Sequence, residues 1–329
     1  MTENDLVNEV RKMPSMLKNI QDQTEKICLA AVRSNGLYLT YVKNQTDKIC
    51  LEAVKNHGFA LQFVKNQTEN ICIEAVSSYG LTLQFVRDQT NRVCLEAVKQ
   101  NGLALQYVKD KTDEICLKAV KQNGLALQFV KNKTENISLE AVSQNPRALS
   151  FVEEQTDNIC KVAVRRDCST LNFVKNQSRD VCLTACISSN GIAIKYVKNQ
   201  TEDLCILAAS LDGYNLLSMR DQTENICLAA VKNKPEMLRY VKKQTPTICK
   251  EAFKRRYEEV KNLDFNCKEC CLVALKFCAR KKKKDSETLT RIAELYGDIP
   301  LFNNVYTKKK LWRYVTRFNE KTVRYSMLL

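Results

Sequence analysis

Glycine and proline are scarce in this chain, with 8 and 5 among 329 residues, and aromatic residues make up only 7%. Sandwiches, barrels and linker-rich chains depend on such residues to turn, so their scarcity excludes those classes and points to an all-helical protein. No run approaches the roughly 18 to 20 consecutive apolar residues that span a bilayer, which predicts a soluble chain. The opening Thr2-Glu3-Asn4-Asp5-Leu6-Val7 is acidic and lacks the basic flank and apolar core of a signal peptide. A cytoplasmic protein is therefore expected, with its 16 cysteines reduced. There is one histidine, His57, so no Cys-His pair arises except through it, and no Gly-rich phosphate loop exists.

What the chain has instead is a repeat. Threonine or serine recurs at Thr2, Thr24, Thr46, Thr68, Thr90, Thr112, Thr134, Thr156, Ser178, Thr201, Thr223 and Thr245, a period of 22 with one extra residue before Gly191. Cys267, followed by Cys270-Cys271-Leu272-Val273-Ala274, reads as a thirteenth, degraded start. A chain of this length would suit two ordinary domains, but a fixed period replaces that expectation with one stacked array.

In the copy from Thr112 to Lys133 the first half reads as a helix. Threonine caps free amides, an acid usually follows, and Pro246 takes the same next slot, as first helical positions allow. Ile115, Cys116, Ala119 and Val120 then share one apolar face. In the second half Leu125, Leu127 and Phe129 alternate as a strand would, which raises a strand-helix horseshoe. Degraded copies decide against it: the slot of Leu125 becomes Arg147, Ser169, Glu236 and Ser15, while the slots of Leu127 and Val130, three apart, stay apolar. A second short helix follows. The junction holds Gly36, Gly58, Gly80, Gly102, Gly124, Gly191 and Gly213, or Pro14, Pro146 and Pro235. Proline cannot take positive φ, so this slot is expected to begin the second helix, capped by Asn35, Asn101, Asn123, Asn145, Asp167, Asn190 or Asp212.

Neither helix, at roughly ten residues, persists alone in water. Stacking must supply the stability, with helix axes about 8 to 10 Å apart in a curved or superhelical array. The first copy, with Asp5 and Asn8 in place of apolar or long side chains, reads as a polar terminal cap. The expected fold is all-α: an alpha-solenoid of about 12 helix-turn-helix repeats over residues 2–279, then a basic helical extension over 280–329.

Copies at 44 to 65, 88 to 109 and 110 to 131 carry the pattern Asn-Gln-Thr-Glu-x-Ile-Cys-Leu-Glu-Ala-Val-Lys-x-Asn-Gly-Leu-Ala-Leu-Gln-Phe-Val-Lys. In this the chain resembles a family of short repeats abundant in mimivirus-like giant viruses and catalogued as a domain of unknown function, number 4116. The likeness weakens beyond about residue 250. It implies a viral origin, hence host-cell cytoplasm or virion, and a helical-repeat fold. It implies no reaction and no site residues.

Eleven cysteines, Cys28, Cys50, Cys72, Cys94, Cys116, Cys160, Cys182, Cys205, Cys227, Cys249 and Cys271, share one slot, where Leu6 and Ser138 also stand. Sulfurs one helix spacing apart do not bridge, and packing is their expected role. Cys267-Lys268-Glu269-Cys270-Cys271 contains a Cys-x-x-Cys spacing used for zinc or redox exchange. With no second pair and no nearby histidine, a drifted terminal repeat is the favoured reading over a structural metal. His57 reads as a junction residue, and Glu153-Glu154 and Glu258-Glu259 as exposed acids. No catalytic residues, cofactor or metal are expected.

Basic residues recur late in the repeat at Lys43, Lys65, Arg87, Lys109, Lys131, Lys175, Lys198, Arg220 and Lys242, interrupted by Glu153. Each is expected to answer the negative end of its own helix, worth about 0.3 to 1 kcal/mol, or else to join a docking stripe for acidic partners. Gln23, Gln45, Gln67, Gln89, Gln155, Gln177, Gln200, Gln222 and Gln244 precede the capping slot and predict a ladder across repeats. Residues 250–329 carry 20 basic and 10 acidic side chains, against 32 and 27 before them. Arg280, Lys281, Lys282, Lys283 and Lys284, with Lys308, Lys309, Lys310 and Arg313 around Trp312, form either an anion-binding segment or a solvated helix face. The expected function is a non-enzymatic scaffold for protein–protein interaction, the alternative being nucleic-acid binding through the basic C-terminal region.

Overall fold

The structure, a computed structural model, describes residues 2–281 together with Thr288, Arg291, Ile292 and Leu295. The chain divides into two compact units, Met1–Lys175 and Asn176–Leu329. Among the described residues there is no strand. Each repeat is an α-helix followed by a short 3₁₀-helix, labelled η, and both stack on their counterparts in the neighbouring repeat of the same unit, as in an alpha-solenoid.

The first unit opens with α1 (Glu3–Lys12), η1 (Pro14–Asn19), α2 (Glu25–Ser34), η2 (Gly36–Tyr41), α3 (Asp47–Asn56) and η3 (Gly58–Phe63). It continues with α4 (Glu69–Ser78), η4 (Gly80–Phe85), α5 (Asn91–Gln100), η5 (Gly102–Tyr107), α6 (Asp113–Gln122) and η6 (Gly124–Phe129). It closes with α7 (Glu135–Gln144), η7 (Pro146–Phe151), α8 (Asp157–Arg166) and η8 (Cys168–Phe173). The second unit holds α9 (Arg179–Ser188), η9 (Ile192–Tyr196), α10 (Glu202–Leu211), η10 (Gly213–Ser218), α11 (Glu224–Asn233) and η11 (Pro235–Tyr240). After α12 (Pro246–Arg255) and η12 (Tyr257–Asn262) comes the longer α13 (Lys268–Lys281).

Most α-helices start as their sequence predicts; the exceptions are Thr24 and Thr201, whose hydroxyls turn to Glu3 and Asp203 and cap no amide. The Thr112 hydroxyl accepts from the Ile115 amide at 3.4 Å, and Pro246 takes the first position of α12. Ile115, Cys116, Ala119 and Val120 are buried, as are the corresponding residues of the other copies from α2 to α12. Asp5 in the slot of Ile115 is exposed and closes a capping box with Thr2, which suits the first copy to a solvent-facing end.

The second helix differs from the expected ten residues: it has six and is of the 3₁₀ type, with bonds such as Val130 N–H to Leu127 O at 3.1 Å. Three residues per turn place i and i+3 in line. That geometry buries Leu127 together with Val130 and leaves the slot of Leu125 half-buried and free to drift. At about 2.0 Å rise, six such residues cover about 12 Å, close to the about 15 Å of a ten-residue α-helix, so the two layers of a repeat match in length.

The junction behaves as expected in most copies. Asn35, Asn101, Asn123, Asn145, Asp167 and Asp212 each accept from the amide two residues on. Gly36 begins η2 with negative φ and is needed for proximity: a Cβ there would collide with the Ala53 carbonyl of the next repeat. The exception is Gly191. The inserted residue gives Asn190 φ 52° and Gly191 φ 86°, so Gly191 precedes η9 in the left-handed region and Asn190 does not cap it. Ser189 takes that role, accepting from the Ala193 amide at 2.9 Å.

One acid also departs from expectation. Glu259 is buried in the slot of Ala126, where it receives the Asn262 amide at 2.5 Å and pairs with Arg256 at 3.4 Å. Its neighbour Glu258 is exposed, as is Glu153.

Candidate interaction face of the repeats

The expected glutamine ladder is present, and its geometry defines one face of the molecule. Gln45 Nε2 donates to Phe63 O at 3.0 Å and to Leu39 O at 3.4 Å, while its Oε1 accepts from the Lys65 amide at 2.9 Å. One side chain thus ties the end of its own 3₁₀-helix to the end of the next. Gln23, Gln89 and Gln155 repeat the pattern in the first unit, and Gln200 and Gln244 in the second. The slot cysteines lean on the same oxygen: Cys50 and Cys94 Sγ lie 3.8 Å from Gln45 and Gln89 Oε1.

The basic row answers a different carbonyl from the one expected. Lys65 Nζ donates to Lys43 O at 3.0 Å, Arg87 to Lys65 O at 2.8 Å and Lys109 to Arg87 O at 2.8 Å. Lys175 reaches Glu153 O, Arg220 reaches Lys198 O, and Lys43 and Lys242 do likewise with Gln21 and Arg220. Each of these cations therefore serves the same slot one repeat earlier, not its own helix end. The interruption at Glu153 also has a cause. Lys133 stands where a glutamine is usual, and its ammonium, only 14% exposed, pairs with Glu153 at 2.7 Å.

A further ladder has a sequence signal that periodicity alone does not interpret. Gln100, Gln122 and Gln144 end their α-helices and accept, at 2.6 to 2.7 Å, from the amides of Gly80, Gly102 and Gly124 in the repeat before. Asn56 does the same for Gly36. Pro146 has no amide to offer, and one repeat on Arg166 replaces the acceptor and donates to Ser143 O.

The glutamine ladder runs along a row of aromatic residues that the sequence shows only as part of an alternation, and it holds the backbone carbonyls of five of them, Lys111 and Lys133 replacing the glutamines opposite Phe129 and Phe151. Tyr41, Phe63, Phe85, Tyr107, Phe129, Phe151 and Phe173 are each the last residue of a 3₁₀-helix, in seven consecutive repeats of the first unit. A buried valine follows each one, and after it comes an exposed residue, basic in every case but Glu153. Tyr41 and Phe173 are 42% and 41% exposed, and the five between are half-buried. The signal was the 22-residue recurrence of an aromatic in one slot.

The α-helical face of the same unit is more evenly charged. An open furrow of about 670 Å³ between α5 and α6 is lined by Leu95 and Leu117 together with both acids and cations, Glu96 and Glu114 among Arg92, Lys99, Lys118 and Lys121.

The thiols whose side chains are described are free and, apart from the half-buried Cys168 and Cys267, buried. Burial pushes Cys50, Cys72, Cys205 and Cys227 up to about 11. Cys267 caps α13, accepting from the Cys270 amide at 3.4 Å, and burial raises it to about 11. Cys270 is raised by its thiol contact with Cys249 and by burial. Cys270 and Cys271 fill the core slots of a drifted repeat, and among the described residues no group of three or more ligands is arranged to hold a metal. His57 lies between α3 and η3, makes no side-chain capping bond to η3, and stacks on Tyr79.

Lys282, Lys283, Lys284, Lys308, Lys309, Lys310 and Arg313 lie outside the described residues; Arg280 and Lys281 are the last residues of α13, their side chains likewise outside. No described helix is long and apolar enough to cross a membrane.

A family model described as Domain of unknown function (DUF4116) matches residues 92–133 and 112–156, within the first unit. Over that stretch the chain is similar to this family. Comparison with curated proteins finds no match, and comparison with solved structures finds none.

Proposed function

We propose that this chain is a non-enzymatic repeat scaffold that binds another protein along the 3₁₀ face of its first unit. The observation that carries this reading is the seven-residue aromatic row, five of whose backbone carbonyls are held by the glutamine ladder and six of whose rings are followed by an exposed cation, Glu153 being the exception. Aromatic side chains supply large contact area at low entropic cost, which is why they are enriched at interfaces. Repeat arrays present such extended surfaces generally, a fold-level analogy that supports the reading. Catalysis has no part in the proposal: the slot thiols named above are held protonated by burial and packed between repeats. The likeness to repeats of giant viruses supports a viral origin and a place in host cytoplasm or virion.

The reading is tested with full-length protein carrying a photo-crosslinking side chain, Phe85→p-benzoylphenylalanine, in the native cellular setting. Capture of a defined protein that persists as salt is raised supports it. A second reading, nucleic-acid binding by the C-terminal region, is favoured by the net +10 of residues 250–329. It requires affinity that falls steeply with salt and disappears when Arg280 and Lys281 to Lys284 are replaced by serine.

A further inference from the structure

We propose that the aromatic row of the first unit is a track for an extended, acidic, proline-rich segment of the partner, one three-residue turn per repeat. This rests on the scaffold reading above and names the partner's chemistry.

Packing does not demand aromatics in this slot. The equivalent residues of η1, η10 and η12 are Asn19, Ser218 and Asn262, yet those helices form and stack as the others do. The neighbouring slot of Leu127, buried in every described copy, is never polar. Phe85 and Tyr41 touch a neighbouring ring each, but seven consecutive half-exposed rings exceed what the fold requires of this slot.

The spacing selects the partner's conformation. Packed helices lie about 8 to 10 Å apart, so stacked repeats offer one ring and one cation at about that interval. A polyproline II helix turns every three residues at about 3.1 Å each, about 9.3 Å per turn. Two residues of a strand advance about 6.6 to 6.8 Å, and one α-helical turn about 5.4 Å, so neither presents the same side chain at the interval of the track. Proline rings pack on aromatic faces, and a preformed polyproline helix loses little entropy on docking. Its backbone carbonyls have no internal partners. Exposed Gln62, Gln84, Gln106 and Gln128 stand one residue before the rings. Each donates one amide hydrogen to its own helix at 3.0 to 3.1 Å, which leaves a second for such a carbonyl.

Charge sets the sign. Lys43, Lys65, Arg87, Lys109 and Lys131 follow five successive rings by two residues, and all five are exposed. The carbonyl bonds of the first four leave further N–H groups, and the Lys131 ammonium carries three, to meet an acid once per turn. Glu153 opposes the next turn, so five triplets is the natural length of the track.

The test uses full-length protein and fluorescein-labelled synthetic peptides. Five Glu-Pro-Pro triplets are expected to bind about tenfold tighter than Glu-Pro-Pro-Pro units or Glu-Gly-Gly triplets, because a repeated contact is kept only when the spans match. Phe85→Ser with Tyr107→Ser, a residue the slot holds naturally at Ser218, should weaken binding about tenfold or more while the protein keeps its cooperative melt at a modestly lower temperature. Lys133→Gln with Glu153→Lys should lengthen the track and favour seven triplets over five. This gain cannot arise from misfolding. Equal binding of all spacings, no binding of the triplets, or tighter binding of oligothymidylate that the serine pair abolishes overturns the proposal. If the triplets fail while Phe85→p-benzoylphenylalanine still captures a protein, the scaffold reading stands and only the peptide class falls. If that crosslinker captures no protein, both fall.

Discussion

The first unit keeps its 22-residue period without a break from Thr2 to Lys175, and with it an unbroken aromatic row from Tyr41 to Phe173. The second unit departs from the period at Asn190, and its row reads Tyr196, Ser218, Tyr240 and Asn262. Both units hold the same buried slots, and the glutamine ladder runs through both, broken in the first at Lys111 and Lys133. Core packing is thus common to the array, whereas the unbroken aromatic face is a property of one part of it. The rings persist across the two repeats that lack a ladder glutamine and lapse where the glutamines are complete, so the face answers to a different requirement from the ladder.

The comparison breaks most strongly in the core. Leu127→Asp, or Leu105→Asp, places a charge in a fully buried slot shared by neighbouring repeats, at a cost of several kcal/mol. Hydrogen exchange should show protection lost across several repeats of the first unit. Melting like that of the unsubstituted protein would contradict the packing described.

Next in size is the ladder. Gln45→Ala removes three bonds and takes the ladder partner from the Lys65 amide and the Phe63 carbonyl, Leu39 O keeping its bond from the Val42 amide, which should cost about 1 to 3 kcal/mol by denaturant unfolding. In the second unit, Gly191→Ala forces positive φ on a residue with a Cβ and crowds Asn215, with an expected loss of about 1 to 3 kcal/mol.

Alkali acts on both units together. Cys50, Cys72, Cys205 and Cys227 are raised from 9.0 to about 11 by burial. Their folded forms hold protons that the unfolded chain gives up first. Stability is therefore fully present below pH 9 and is lost as pH rises through about 11. Thermal melts between pH 8 and 11 should show this fall, and it should diminish when these four cysteines become serine. The smallest effect belongs to the face itself: Phe129→Ser, at a half-buried slot that holds Ser218 elsewhere, should change stability by about 1 kcal/mol or less while changing binding.

Much of this was legible before the structure. The slots of Ile115, Ala119 and Leu127 show their burial because drift spares them, and the proline at position 146 reveals that its slot opens a helix. The basic row was misassigned, since Lys65 near its own helix end looks like a local cap, whereas its bond runs 22 residues back to Lys43. Glu259 looked exposed because glutamate is rarely buried, yet Arg256 and Asn262 satisfy it.

By itself the sequence determined the period, the all-helical class, the capping residues and which positions enter the core. These follow from local hydrogen bonding and from the periodicity of apolar side chains, both written within a single copy. Only the tertiary structure decided that the second helix winds three residues per turn, that Gly191 lies in the left-handed region, and which carbonyl each glutamine, lysine and terminal amide reaches. Those choices depend on the backbone of the adjacent repeat, whose distance is set by how closely two helices pack around an alanine and a glycine.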